Sequence, residues 1–316
     1  MTKARENSDY TGLAADITAG DTAARAGRKN WIINGDFQIS QRGAFSSATS
    51  ITASPVYYLD RFRCKHNNIS GTVVRQTNQT VNGKVTTTMS LTATAGSNGR
   101  VEAVQMIEDE VFNGQTVTIS AWVISNSASA RLIIHQNGAN IQTSSNAHTG
   151  GGAYELLQAT VTCASNAGQL HIYTGIQAAG TGNVAIANGH YFKMGFLQLE
   201  LGSVATDFEH RSYGEILADC QRYYQKTDTF EHFNLTRYKG NSGNAYNSFK
   251  LACTMRSTPT FSQGGTWTAS SNAGYAGTPV VSDISKDSVT IRSDNTMGAN
   301  ECVYLSSGYL MFDAEL

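Results

Sequence analysis

At 316 residues the chain is long enough for two hydrophobic cores. Charged side chains make up 15% of it and the formal net charge is −1, so it lacks the basic stripe that phosphate neutralisation requires and no nucleic-acid partner is expected. No apolar run reaches the ~20 residues that span a bilayer, which argues against membrane insertion.

Residues 1–29 carry few large apolar side chains and no apolar core of a secretory signal. They are read as a linker or attachment segment ordered only by docking on a partner. A protein that works outside cells without an export signal must leave by another route, such as lysis. From residue 30 onward the pattern is strand-like: runs at 56–62, 84–91, 101–107, 116–124, 131–135, 154–161, 170–173 and 191–201 are rich in β-branched and aromatic residues. Asn82-Gly83, Asn113-Gly114, Asn137-Gly138 and Asn188-Gly189 punctuate them with turn chemistry. Many short strands without an intervening helical pattern predict a mainly β protein, with a jelly-roll β-sandwich over residues 30–210.

The sandwich closes on an alternating stretch in which Phe196, Gln198 and Glu200 oppose Leu197, Leu199 and Leu201, ended by Gly202. Ser212 and Glu215 then have the spacing of a capping box. Ile216, Leu217, Cys220, Tyr223 and Tyr224 follow at helical intervals, predicting a linking helix over 211–226. This stripe has two readings: packing under the last domain, or an interface between identical copies. Strand patterns return at 229–235, 248–255, 280–284, 288–291 and 301–312, so residues 227–316 are expected to form a small C-terminal β-domain. No collagen or long heptad repeat is present.

No enzyme is expected and no catalytic residue is assigned. The densest acidic cluster, Glu108-Asp109-Glu110, precedes an Asn-Gly turn, where acidic loop residues are routine, and the Gly-x-Ser-x-Gly, Walker A and His-Glu-x-x-His motifs are absent. The seven histidines are scattered without ligand spacing, so no metal or cofactor is assigned. Cys64, Cys163, Cys220, Cys253 and Cys302 are widely spaced and read as free, mostly buried thiols. Sugar recognition would use flat aromatics beside amides and hydroxyls. Trp122, Tyr173, Tyr58 and His135 lie on or beside strands where such a platform can form, although Trp122 sits in a run apolar on both sides and reads more readily as core. Tyr238, Tyr246 and Trp267 lie in the polar, glycine-rich loops of the last domain, where a scaffold presents recognition residues.

The segments Asn30–Phe37, Gln41-Arg42-Gly43, Tyr58–Phe62, 196–224, Met255–Thr260 and Phe312–Leu316 together resemble the tail-fibre and other virion fibre proteins of bacteriophages and prophages. The resemblance runs in the same order from residue 30 to the end. It implies a virion component, commonly a homotrimer, with a sandwich like that of carbohydrate-binding modules. On that likeness the N-terminal segment faces other virion proteins, and the protein is assembled in the host cytoplasm and acts at the host cell surface. The expected role is receptor binding to a surface glycan or protein. A purely architectural head fibre, collar or adaptor is the first alternative, and a carbohydrate-active enzyme or its binding module the second. Asn34-Gly35-Asp36 is also similar to the opening of sandwiches that bind a structural calcium, against the plainer reading of an Asn-Gly turn.

Overall fold

The computed structural model describes residues 28–108, 112–228, 233–236, 244–271, 278–293 and 302–316. These residues divide into two compact units, one drawn from 28–38 and 44–210, the other from 39–43 and 211–316. Apart from residues 28 and 29, the N-terminal segment lies outside the described residues.

The first unit is a jelly-roll sandwich of antiparallel strands. One sheet contains β1 (Thr49–Ser50), β4 (Gly71–Val81), β5 (Lys84–Ala93), β13 (Tyr191–Leu201), β7 (Thr116–Ser125) and β10 (Tyr154–Thr162) in the order β1-β4-β5-β13-β7-β10. The other contains β2 (Val56–Leu59), β3 (Phe62–Asn67), β6 (Ser97–Met106), β11 (Leu170–Ile176), β8 (Ala130–Gln136) and β9 (Ile141–Ser144), with β12 (Val184–Ile186) paired to the start of β6. Period-two alternation sends Phe62, Cys64, Leu91, Ala103, Ile119, Leu132, Ile134, Ile172 and Leu199 into one continuous core. Each large side chain buried there contributes about 1.5–3 kcal/mol relative to exposure.

Several local expectations need correction. The run at 56–62 is a hairpin rather than one strand, because Arg61 turns the chain at φ 70° and β2 folds back on β3. Arg61 is buried and donates to the Met106 carbonyl at 2.7 Å. The strands β4, β9 and β12 escape the apolar pattern: Gln76 to Thr80 of β4 is entirely polar, and only Gly71, Val73 and Val81 of that strand are buried. Gln198 and Glu200 of β13 are buried as well as the leucines. The chain returns over them, with the Glu209 amide donating to Gln198 Oε1 at 2.9 Å and the Thr206 amide and hydroxyl donating to Glu200. A bulge between Gly195 and Gln198 re-aims the strand at Phe196, whose φ is 57°.

The entry to the sandwich is a tight turn packed on β13. Trp31 donates its amide to Leu199 and Leu197 donates to Gly35. A Cβ on Gly35 would stand 2.1 Å from the Leu197 carbonyl oxygen, so only glycine permits this approach.

In the second unit, Ser212 caps α1 (Tyr213–Gln221), and both reciprocal bonds of the capping box with Glu215 are present. The helix ends before the expected residue 226. Tyr224–Lys226 instead forms β14, paired with the chain's last strand, β20 (Cys302–Asp313). Ile216, Cys220, Tyr223 and Tyr224 are buried within this chain and Leu217 is half-buried. The stripe is therefore consumed by intramolecular packing, and only Leu217 retains area for another copy. The sheet runs β14-β20-β15-β16-β19-β18, with β15 (Phe233–Thr236), β16 (Tyr246–Lys250), β19 (Ser288–Ser293) and β18 (Pro279–Ile284), while β17 (Thr260–Ser271) pairs along the other side of β20. The expected strand at 248–255 stops at Lys250. Leu251 and Met255 leave the ladder but stay buried, their amides donating to the carbonyls of Asp287 and Lys286.

Cys64, Cys163 and Cys220 are buried, Cys253 is half-buried, and none of the four is in a disulfide. Burial pushes the Cys163 thiol up to about 11 and raises that of Cys64 further, so neither is a nucleophile.

Candidate functional site

The expected aromatic residues do not converge. Trp122 and Tyr173 lie on opposite outer faces of the sandwich. Trp122 is half-buried on β7 and lines, with Lys84, Ser120, Leu156, Phe196 and Phe208, a hollow of about 150 Å³. Its outward parity corrects the core reading, since Ala121 and Val123 on either side carry the core contacts. Tyr58 is buried and donates its hydroxyl to the Ser50 carbonyl at 2.9 Å, so it is no platform. In the second unit Tyr246 is 45% exposed on β16. Trp267 packs against the core, its ring 6.1 Å from that of Phe233, leaving it little free face. Tyr238, and Asp109 and Glu110 of the acidic cluster, lie outside the described residues.

The outer face of the second sheet is chemically richer. Register places Arg63 of β3, Val104 of β6, Tyr173 of β11 and Ile133 of β8 in one row across the sheet. The next row holds Lys65, Glu102, Gly175 and Arg131, and His171 stands opposite His135. Tyr173 is half-buried, its ring 6.1 Å from His135 and 6.4 Å from His171, with the Lys65 ammonium 5.9 Å from its centroid.

One end of this face is walled by residues 177–183. The Gly180 amide donates to Ser144 Oγ at 3.3 Å and Thr181 Oγ1 to Gln142 Oε1 at 3.2 Å, both on β9. Farther across, Arg100 donates to the Thr181 carbonyl, and Asn183 Nδ2 donates to Asn67 Oδ1 at 3.1 Å. At this wall Glu102, on the outward face of β6, and Gln177 are both 0% exposed. Glu102 lies 3.1 Å from Lys65 Nζ and 3.4 Å from Arg100 Nε.

This face also collects buried polar atoms that make no hydrogen bond: Arg63 Nε, Glu102 Oε2, Arg131 Nε, His135 Nδ1, both Gln177 amide atoms and Asn183 Oδ1. Folded chains pair more than nine in ten of such groups, and leaving one unpaired costs about 1–3 kcal/mol. Solvent or a ligand can supply the partners these atoms do not find within the chain. Sequence reading found His135 and Tyr173 but missed Arg63, Lys65, Glu102, Arg131 and Gln177. Their outward parity was readable within each strand, but the pairing that gathers them was not.

Burial, together with neighbouring His135 and Arg63, pushes the His171 imidazole down to about 4. Between the ordinary value near 6.5 and about 4, the unfolded chain takes up a proton that the folded chain refuses. The stability contribution is thus complete above pH 6.5 and is lost as pH falls toward 4. His171→Gln is expected to flatten that part of the stability profile by about 1 kcal/mol, since the site is partly solvent-screened. Denaturation midpoints at pH 7 and pH 5 check this, and equal slopes in both proteins would refute it.

The calcium reading finds little support in the donor set. Asp36 is buried, its Oδ1 lacks a hydrogen bond, and its Oδ2 accepts from the Gln38 amide. Asn34 spends its amide on the Asp60 carbonyl. A calcium shell needs six to eight oxygens, and among the described residues no group of three His, Cys, Asp or Glu side chains is placed to hold a metal. Among the described residues no helix is long and apolar enough to cross a membrane.

The sequence matches no family model and no curated protein. Among solved structures, the carbohydrate-binding module TmCBM61 in complex with β-1,4-galactotriose is 12% identical, covering 55% of this chain and all of that one, with a TM-score of 0.36. The enzymatically active domain of tailspike protein 4 of bacteriophage CBA120 is 13% identical, with a TM-score of 0.36; 54% of this chain covers only 21% of that one. The family 11 carbohydrate-binding module of the cellulase Lic26A-Cel5E of Clostridium thermocellum is 10% identical, covering 51% and 97%, with a TM-score of 0.32. These similarities are remote, and the ligand is read from this chain's own side chains.

Proposed function

We propose that the chain is a non-enzymatic adhesion protein that binds a glycan on the outer face of the second sandwich sheet, at Tyr173. The observation that carries the reading is the gathering of unpaired, buried polar atoms around a half-buried aromatic ring behind a wall of backbone. Sugars present C–H faces to a ring and hydroxyls to polar groups at its edge. A hydrolase would need two carboxylates flanking the bond to be cut, whereas the strands of this sheet contribute Glu102 alone, engaged by two cations.

The wider assignment is a bacteriophage virion fibre, homotrimeric and attached through its N-terminal segment. It is supported by the ordered sequence resemblance from residue 30 to the end. Several copies on one particle would turn weak sites into firm attachment, since avidity can exceed single-site affinity by ~10²–10⁴. Light scattering of the purified protein tests the trimer, and labelled antibody on virions tests the location. Protein that neither binds host cells nor blocks infection would leave only the architectural role.

For the site itself, Tyr173→Ala should weaken glycan retention in affinity gels at least tenfold, a loss of about 1.4 kcal/mol or more. Trp122→Ala should leave retention unchanged. The reverse pattern would move the site to the Trp122 hollow on the first sheet.

A further inference from the structure

The charge on this face is not that of the molecule. The seven strands of the second sheet contain four cations, Arg63, Lys65, Arg100 and Arg131, and one acid, Glu102. That is a formal +3 in a chain whose total is −1. All four cations share the outward parity of Tyr173, because their neighbours Phe62, Cys64, Val101, Ala130 and Leu132 belong to the core. The wall from 177 to 183 has no charged side chain.

The four are not equivalent. Lys65 and Arg100 are committed to Glu102. Arg63 and Arg131 have no carboxylate within ion-pairing distance among the described residues, and each keeps a buried Nε without an acceptor. Arg63 lies in the Tyr173 row, and Arg131 lies on the neighbouring strand one row along, so the two flank the ring from opposite sides. β6 and β11 separate their strands, so each guanidinium stands on its own beside the ring, partly desolvated and without a carboxylate.

Resting on the glycan reading above, we propose that the ligand is an acidic glycan, whose carboxylate or sulfate groups are taken by Arg63 and Arg131 while a sugar ring lies on Tyr173. A guanidinium offers paired N–H donors that match a carboxylate or sulfate edge, and such charge-assisted bonds are about twice as strong as neutral ones. Binding should therefore depend on salt, unlike contact made through uncharged amides and hydroxyls. Nucleic acid carries the same kind of charge but is disfavoured, because the face is one short walled platform and the chain as a whole carries −1.

The test uses the full-length chain and two probes of one backbone: oligogalacturonate and its fully methyl-esterified form, which erases the charge and keeps the sugar. Sulfated and unsulfated dextran form a second pair, and a single-stranded oligonucleotide serves as competitor. Calorimetry should show at least tenfold tighter binding to the acidic member of one pair, weakening as salt rises. Arg63→Gln and Arg131→Gln should each cost about tenfold with unchanged melting temperature, and Arg131→Lys should recover part of the loss. Equal binding of charged and neutral members would overturn the acidic preference and leave the glycan site standing. Binding to none of the four would overturn both, and tighter binding of the oligonucleotide would replace the glycan with a nucleic-acid ligand.

Discussion

Arg42→Ala should destabilise the second unit by about 3 kcal/mol, because it strips a largely buried cation from Glu315, whose carboxylate stays buried. Arg42 Nη1 lies 2.9 Å from Asp313 Oδ2 and Nη2 lies 3.5 Å from Glu315, whose side chain is almost wholly covered. The guanidinium carbon also sits 3.8 Å from the centre of the Tyr224 ring. Next to it, Gln41 donates to the Tyr224 carbonyl, and Arg256 donates to the carbonyls of Ala314 and Glu315. Three segments that carry the virion-fibre resemblance, around residues 42, 256 and 313, thus meet at the end of the chain. Their shared role is to pin the last residues against β14. Trp267 is the only tryptophan of the second unit, so its fluorescence reports that unit once Trp31 and Trp122 are replaced by Phe. A denaturant midpoint unmoved by Arg42→Ala, in that background, would remove the pinning role. Arg42→Lys is expected to fall between, keeping the charge but losing the fork and the stacking.

What the sequence made legible follows from the range over which each signal acts. The capping box needs only Ser212 and Glu215, and it formed as read. The sandwich was legible because period-two alternation in β7, β8, β11 and β13 fixes which side chains turn inward. The helix end was missed because Tyr223 and Tyr224 suit a helix face by spacing, while the strand they enter depends on β20, some ninety residues later. The strands β4 and β17 were invisible for a related reason: their polar and glycine residues are ordered by ladder partners, not by apolar faces. The site was legible only as single aromatics. Tyr173 was named, yet Arg63, Glu102 and Arg131 are brought beside it by pairing across β3, β6, β11 and β8, which no local pattern encodes. Trp122 shows the converse: its run looked apolar on both sides because Ile124 shares its outward face.

The same pairing makes Gly175 the position where fold and site are least separable. Its φ is 152°, and a Cβ built there would stand 2.2 Å from the Val101 carbonyl oxygen and 2.8 Å from the Glu102 Cα. Both clashes are with backbone, which no side-chain rotation relieves. Gly175→Ala must therefore push β11 away from β6 in the middle of the sheet. The expected cost is about 3 kcal/mol, seen as a melting temperature lower by roughly 10 °C in a domain of this size. Gly151→Ala is the control, since its Cβ would meet nothing closer than Thr149 Oγ1 at 3.5 Å, and it should melt like the parent. Because the displaced strand carries Tyr173 and His171, ligand retention should fall even at temperatures where Gly175→Ala is still folded. A variant that melts normally would show that β6 and β11 do not approach as closely as described. One that melts early yet binds fully would detach the outer face of this sheet from recognition.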